Sequence, residues 1–156
     1  MLKTIRPLPV LALIGVLLAP VVMAADNNND AVPRCCEGDP GVFQAFGERE
    51  GIHKVMQIFM RKLMADERTR PFFEDSDRAK VVEHLTDQFC QAMGGPCDYQ
   101  GRSMIESHAG QKIKREHFNA VVGILQDAMN ERHIPVRAQN KVLAAFAPLH
   151  RQIEEQ

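Results

Sequence analysis

Six histidines and four cysteines are the side chains of this sequence best suited to bind a metal or exchange electrons. The histidines are His53, His84, His108, His117, His133 and His150. A neutral imidazole ligates zinc, copper and iron, but spacing narrows the options. No His-Glu-x-x-His occurs, so the zinc-protease arrangement has no support. The cysteines are Cys35, Cys36, Cys90 and Cys97. Their even number permits two disulfides, in three connectivities, wherever the compartment is oxidising. Neighbouring cysteines rarely bridge each other, because the intervening peptide is strained. Cys35 and Cys36 are therefore each expected to pair with Cys90 or Cys97. A structural zinc site is the alternative, although Cys35-Cys36 lacks the usual spacer. A redox-active pair is a further alternative, although no Cys-x-x-Cys motif is present.

The compartment is read from the N-terminus. Lys3 and Arg6 form a short basic head, Leu8 to Val22 is apolar, and Val22-Met23-Ala24 offers a peptidase site. This is the three-part pattern of a secretory signal, with cleavage expected after Ala24. The apolar run is short for a spanning helix and lacks a basic stop-transfer flank. The expected organisation is a signal peptide at 1–24, a flexible Asn-, Asp-, Pro- and Gly-rich linker at 25–41, and one domain at 42–156. The product would be periplasmic or secreted, without stable membrane insertion. Cleavage leaves 17 basic groups against 20 acidic ones. That balance argues against nucleic acid as a partner, since phosphate binding needs surplus positive charge.

The elements that must position the histidines are helical. Ile52, Val55, Met56, Phe59 and Leu63 recur at the spacing of one helix face. Ser76 is placed to cap a second helix through Val81, Val82, Leu85, Phe89 and Ala92, ended by Gly94-Gly95-Pro96. Ser103 to His108 reads as a short helical piece before Gly110. Phe118, Val121, Val122, Leu125 and Met129 mark a third long helix. Pro135 suits the first turn of a fourth, whose stripe is Val142, Phe146, Leu149 and Ile153. Pro148 predicts a kink in that stripe. No alternating strand pattern occurs, so the expected class is all-α with about four main helices. Periodicity leaves a four-helix bundle and a globin-like packing both open.

One segment separates the histidines. Met93-Gly94-Gly95 is followed by Tyr99, Gly101-Arg102, Met104 and His108. This ordered set resembles the truncated haemoglobins, especially group 1, in which Gly-Gly, Tyr, Gly-Arg and Met precede the proximal histidine. Asp66-Glu67-Arg68 with Pro71-Phe72-Phe73, and His117-Phe118-Asn119-Ala120-Val121-Val122, match the flanks. The resemblance spans about Val42 to Ile153. It implies a 2-over-2 helical sandwich around haem b, with His108 as the iron ligand. No Cys-x-x-Cys-His occurs for a c-type attachment. Met104, one turn before His108, would pack beside the same haem face, with Ile113, Phe118 and Val122 lining the pocket. Arg102 would pair with a propionate, since guanidinium matches carboxylate geometry.

The opposite face departs from the family pattern. Phe59 is followed by Met60 where a tyrosine is usual, and Val81 and Leu85 replace glutamines. Without hydroxyl and amide donors, bound O₂ loses its hydrogen bonds. His84 matches a residue that becomes the sixth iron ligand in some relatives, while Met60 sulfur and the Gln88 amide are further candidates. His150 lies near the position of a histidine that bonds covalently to a haem vinyl in some relatives. The resemblance thus implies a haem protein binding a diatomic gas (O₂, CO or NO) or exchanging electrons with a partner, more a ligand binder than a dedicated enzyme. The competing class is a haem-free helical binding or structural module on the same scaffold.

Overall fold

A computed structural model describes residues 32–36 and 39–154. The signal-peptide reading and most of the linker lie outside the described residues. The described part is helical, without strands. A short helix α1 (Pro40–Ala45) leads into the long helix α2 (Glu48–Ala65). Glu48 and Glu50 at the start of α2 and Lys62 at its end complement the helix dipole. Its buried face carries Ile52, Val55, Met56, Phe59, Met60 and Leu63, as the periodicity predicts.

Helix α3 (Arg78–Ala92) is capped by Asp77, whose carboxylate accepts from the Lys80 amide at 3.2 Å. This corrects the Ser76 expectation. The Ser76 hydroxyl instead donates to the Phe73 carbonyl at 2.7 Å, so it closes the preceding turn. Gly94 follows at φ 78°, a left-handed angle that costs a residue without a Cβ little. Helix α4 (Met104–His108) is only five residues long, too short to persist by backbone propensity. A reciprocal cap holds it: the Ser103 hydroxyl accepts from the Glu106 amide at 3.2 Å, and the Glu106 carboxylate accepts from the Ser103 amide at 3.1 Å.

Helix α5 (Arg115–Glu131) is followed by α6 (Val136–Phe146). Pro135 stands one residue before α6, at its cap position and not in its first turn. The kink expected at Pro148 is a 3-10 turn, Ala147–Leu149, that separates α6 from α7 (His150–Ile153). None of the described helices is long and apolar enough to cross a membrane.

Helix α2 packs against both α3 and α5, α5 packs against α6, and α4 sits on α7. The side chains form two separate apolar clusters. The larger includes Ile52, Val55, Met56, Phe59, Met60, Leu63, Phe89, Leu125 and Met129. Fully burying one such side chain contributes about 1.5–3 kcal/mol, so Leu63→Ala should cost about 2–5 kcal/mol. The smaller cluster is Ile113, Leu149 and Ile153, with Phe72, Met104, Phe118 and Phe146 packed against it. Phe146 touches both clusters and stacks on Phe89 with centroids 4.3 Å apart.

The disulfides differ from expectation. Cys90 is bonded to Cys97, with Cα atoms 5.8 Å apart, and Cys35 to its neighbour Cys36. The Gly94-Gly95-Pro96 turn folds the chain back on the end of α3, which brings Cys97 over Cys90. The Gly95 amide donates to the Cys90 carbonyl at 2.9 Å within that turn. With Cys90 satisfied locally, Cys35 and Cys36 have no sulfur but each other. Their segment still docks on the same helix end: the Cys35 amide donates to the Ala92 carbonyl at 3.0 Å, and Cys36 is 5% exposed. All four described thiols are therefore consumed, which removes the zinc alternative for them.

Candidate functional site between α3 and α4

His108 is the last residue of α4 and is half-buried. Its Nδ1 lies 2.7 Å from the Met104 carbonyl oxygen, one helical turn back. A carbonyl only accepts, so this contact fixes the proton on Nδ1 and leaves the Nε2 lone pair available. Burial pushes the imidazole below its ordinary pKa, partly opposed by that hydrogen bond. The ring is thus a neutral, oriented nitrogen donor. No group of three or more His, Cys, Asp or Glu side chains is arranged to hold a metal ion among the described residues. A metal here would depend on a single imidazole and on whatever else it brings with it.

The loop before α4 explains the Tyr-x-Gly-Arg spacing. The Tyr99 hydroxyl donates to the Arg102 carbonyl at 2.8 Å, folding the ring over residue 101. A Cβ at Gly101 would collide with the Tyr99 ring, so glycine is required there. Burial raises the Tyr99 pKa, which keeps the hydroxyl a donor. The Tyr99 amide donates to Gln91 Oε1 at 2.7 Å, tying the loop to the end of α3. The Arg102 side chain is exposed.

Around α4, Met104 and Phe118 are half-buried and Ile113 is buried, all in the smaller cluster. Val122 is half-buried and outside both clusters. On α3, Val81 and Leu85 are half-buried and pack against the larger cluster. Phe59 and Met60 lie deeper, 4% and 5% exposed. His84 is half-buried and meets the Tyr99 ring edge-on, with centroids 6.1 Å apart. Gln88 is 3% exposed, and its amide has no hydrogen-bond partner among the described residues. The sequence places Phe146 in the buried stripe of the last helix and Phe72 in a turn, but gives neither a part in the site; in the structure Phe146 joins the two clusters and Phe72 packs against the smaller one.

The remaining histidines are engaged elsewhere. His53 faces Glu83 at 3.3 Å and Thr86 at 3.4 Å. His117 packs on Phe72 with centroids 5.0 Å apart. His133 is exposed at φ 55° in the turn before α6. His150 Nδ1 is 2.9 Å from the Ala147 carbonyl, and its ring lies 6.0 Å from Phe118. A cleft of about 720 Å³ between α2 and α3 opens beside Met60, His53 and Val82, away from His108.

Residues 41–155 match the family of bacterial-like globins. The chain is 31% identical over 108 residues to the group 1 truncated hemoglobin GlbN of Mycolicibacterium paratuberculosis, covering 69% of this chain and 79% of that one. It is 30% identical over 115 residues to GlbN of Synechocystis, covering 70% and 93%. The fold is similar to truncated hemoglobin from Tetrahymena pyriformis in the Fe(III) form, with TM-score 0.70 and 23% identity, over 74% of this chain and 98% of that one. It is also similar to the Synechococcus 2/2 hemoglobin solved in the cyanomet state with covalently attached heme, with TM-score 0.63 and 25% identity, over 68% and 89%. The strandless helical sandwich, the ordered run from Gly94 to His108 and these likenesses together make the chain a member of the bacterial-like globin family, of the group 1 truncated hemoglobin type.

Proposed function

We propose that the chain binds haem b between α3 and α4, with His108 as the iron ligand, and takes up a diatomic gas at the sixth position. The observation that carries this reading is the His108 imidazole itself. It is half-buried, its pKa is lowered, and it is anchored through Nδ1 to the Met104 carbonyl at 2.7 Å. A metal-ligating histidine needs such a hydrogen bond on its other ring nitrogen to fix its tautomer and direction. The surroundings fit a large apolar ring. Met104, Phe118, Val81 and Leu85 are apolar yet only half-buried, and the two clusters share Phe146 alone among the described residues. Haem supplies an iron that binds O₂, CO or NO and changes oxidation state.

The chain's own residues divide the remaining work. Met104, Ile113, Phe118 and Val122 exclude water on the His108 side. Arg102, exposed at the rim, is the partner for a propionate. On the opposite face, Val81 and Leu85 provide no hydrogen-bond donor, with Phe59 and Met60 behind them. His84 is the candidate sixth ligand, and the unpartnered Gln88 amide is the candidate donor to a bound gas. This face favours CO and NO over O₂, because those ligands depend less on hydrogen bonds. Electron exchange with a partner protein is the corresponding role if His84 closes the sixth position. Two disulfides support an oxidising, extracytoplasmic location.

Visible spectra of protein produced with haem available test the proposal. The expected result is a Soret band after purification, with a six-coordinate low-spin ferrous form that becomes five-coordinate in His84→Ala. Absence of a Soret band would leave the haem-free binding module as the reading. An unchanged spectrum in His84→Ala would remove His84 from the iron while leaving haem binding intact.

A further inference from the structure

Both disulfides lie at the end of α3, and Cys36 and Cys97, one from each, line a cleft of about 470 Å³ there. Arg34, Cys36, Asp39, Met93, Gly95 and Cys97 are among the residues lining it. In each disulfide one residue is reachable and the other is not: Cys97 and Cys35 are half-buried, while Cys90 and Cys36 are 0% and 5% exposed. The two bonds cannot both be staples. Cys90–Cys97 closes a loop across the Gly-Gly-Pro turn. Cys35–Cys36 joins neighbours whose Cα atoms are 3.7 Å apart. It encloses no chain, so it removes almost none of the unfolded state's freedom. A bond with no loop to close, beside a second disulfide, calls for a chemical role.

We infer that this cleft is a thiol–disulfide exchange site, whose substrate is a dithiol such as the reduced Cys pair of an oxidoreductase. A substrate thiolate attacks Sγ of Cys97, the Cys97–Cys90 bond breaks, and the electron pair leaves on Sγ of Cys90, which takes up a proton. The second substrate thiol then attacks its own bridged sulfur and releases Cys97 as a thiol. Two electrons and two protons pass to the protein, and the substrate becomes a disulfide. The Cys35–Cys36 pair reacts in the same way through Cys35.

Reduction at Cys97 has a built-in reporter. Cys97 lies two residues before Tyr99, whose ring meets His84 at 6.1 Å and whose amide bonds Gln91 at 2.7 Å. Opening the Cys90–Cys97 bond removes the covalent anchor of the loop that holds those contacts. The chain has one tyrosine and no tryptophan, so its intrinsic emission comes from Tyr99 alone. The exchange site stands without the haem reading. Only an effect on His84 as an iron ligand would rest on it.

The test uses the folded chain in both haem-free and haem-loaded form. Dithiothreitol without denaturant should expose four alkylatable thiols, and glutathione should leave mixed disulfides on Cys97 and Cys35 but not on Cys90 or Cys36, by peptide mapping. Tyr99 emission of the haem-free chain should rise on reduction. The Cys90→Ser/Cys97→Ser variant should start at the raised value and ignore dithiothreitol. Should that variant not fold, Cys35→Ser/Cys36→Ser serves, and it should keep the full Tyr99 response. Disulfides that yield only in denaturant, or adducts on Cys90 and Cys36, would overturn the exchange site. Reduction with unchanged Tyr99 emission would overturn its link to the loop. A spectral change of bound haem on reduction reports on His84, and its absence would count against the His84 reading alone.

Discussion

The two walls of the proposed haem site are built differently. On the α4 side, order is imposed by hydrogen bonds that leave little freedom. Ser103 and Glu106 cap a five-residue helix, Tyr99 folds over Gly101 and bonds the Arg102 carbonyl, and the Met104 carbonyl fixes the His108 ring. On the α3 side the contacts are apolar and permissive. Val81 and Leu85 present hydrocarbon, the Gln88 amide has no hydrogen-bond partner among the described residues, and His84 has only a ring contact. A directional network specifies one nitrogen in one place, whereas an apolar wall specifies a volume. The first suits a permanent ligand, and the second suits an occupant that comes and goes.

The largest expected effect comes from attacking the two walls with the same substitution. His108→Ala should lose stable haem incorporation, while His84→Ala should retain haem at the wild-type stoichiometry, measured by pyridine haemochrome per chain. Equal retention by both variants would erase the distinction between the walls. Next in size is the gating role of His84. If it occupies the sixth position roughly nine-tenths of the time, gas binding is weakened about tenfold by competition. His84→Ala should therefore speed CO association on the order of tenfold in stopped-flow mixing.

These two walls were unequally legible in the sequence. His108 could be read because its wall is built from residues with narrow demands: glycine where a tyrosine ring lies over the backbone, and a Ser-x-x-Glu pair where a short helix must start. The main helices were equally plain, since Ile52 to Leu63 and Phe118 to Met129 repeat at helical spacing. The cap of α3 went to Asp77 because both Ser76 and Asp77 can cap, and only the three-dimensional turn decides which hydroxyl or carboxylate reaches the amide. The disulfide pairing was missed because the general aversion to neighbouring bridges gives no information about the Gly94-Gly95-Pro96 reversal, which satisfies Cys90 locally. Gln88 shares a helix face with His84 in sequence, but its lack of a partner among the described residues emerges only from the packing.

A smaller effect would sharpen the account of the permissive wall. Val81→Gln adds an amide where the wall has none. One hydrogen bond to bound O₂ is worth about 0.5–1.5 kcal/mol, so O₂ release should slow by about 2- to 13-fold, measured by flash photolysis, with CO release nearly unchanged. Equal slowing of both gases would point to steric closure and not to a hydrogen bond. The smallest effect concerns protons. The lowered His108 pKa means that the folded haem-free chain binds fewer protons there than the unfolded chain. Its contribution is present above the ordinary histidine pKa of about 6.5 and is lost as pH falls through the lowered folded value. Thermal melts of the haem-free protein should lose stability on that descent, and His108→Gln should flatten the slope.

The most direct test of the central claim is chemical rescue at residue 108. His108→Gly, reconstituted with haem in the presence and absence of free imidazole, should form a histidine-type ferrous CO spectrum only when imidazole is added, because the small ring restores the missing nitrogen. A His108→Gly protein that binds haem with the wild-type spectrum in the absence of imidazole would show that another residue holds the iron.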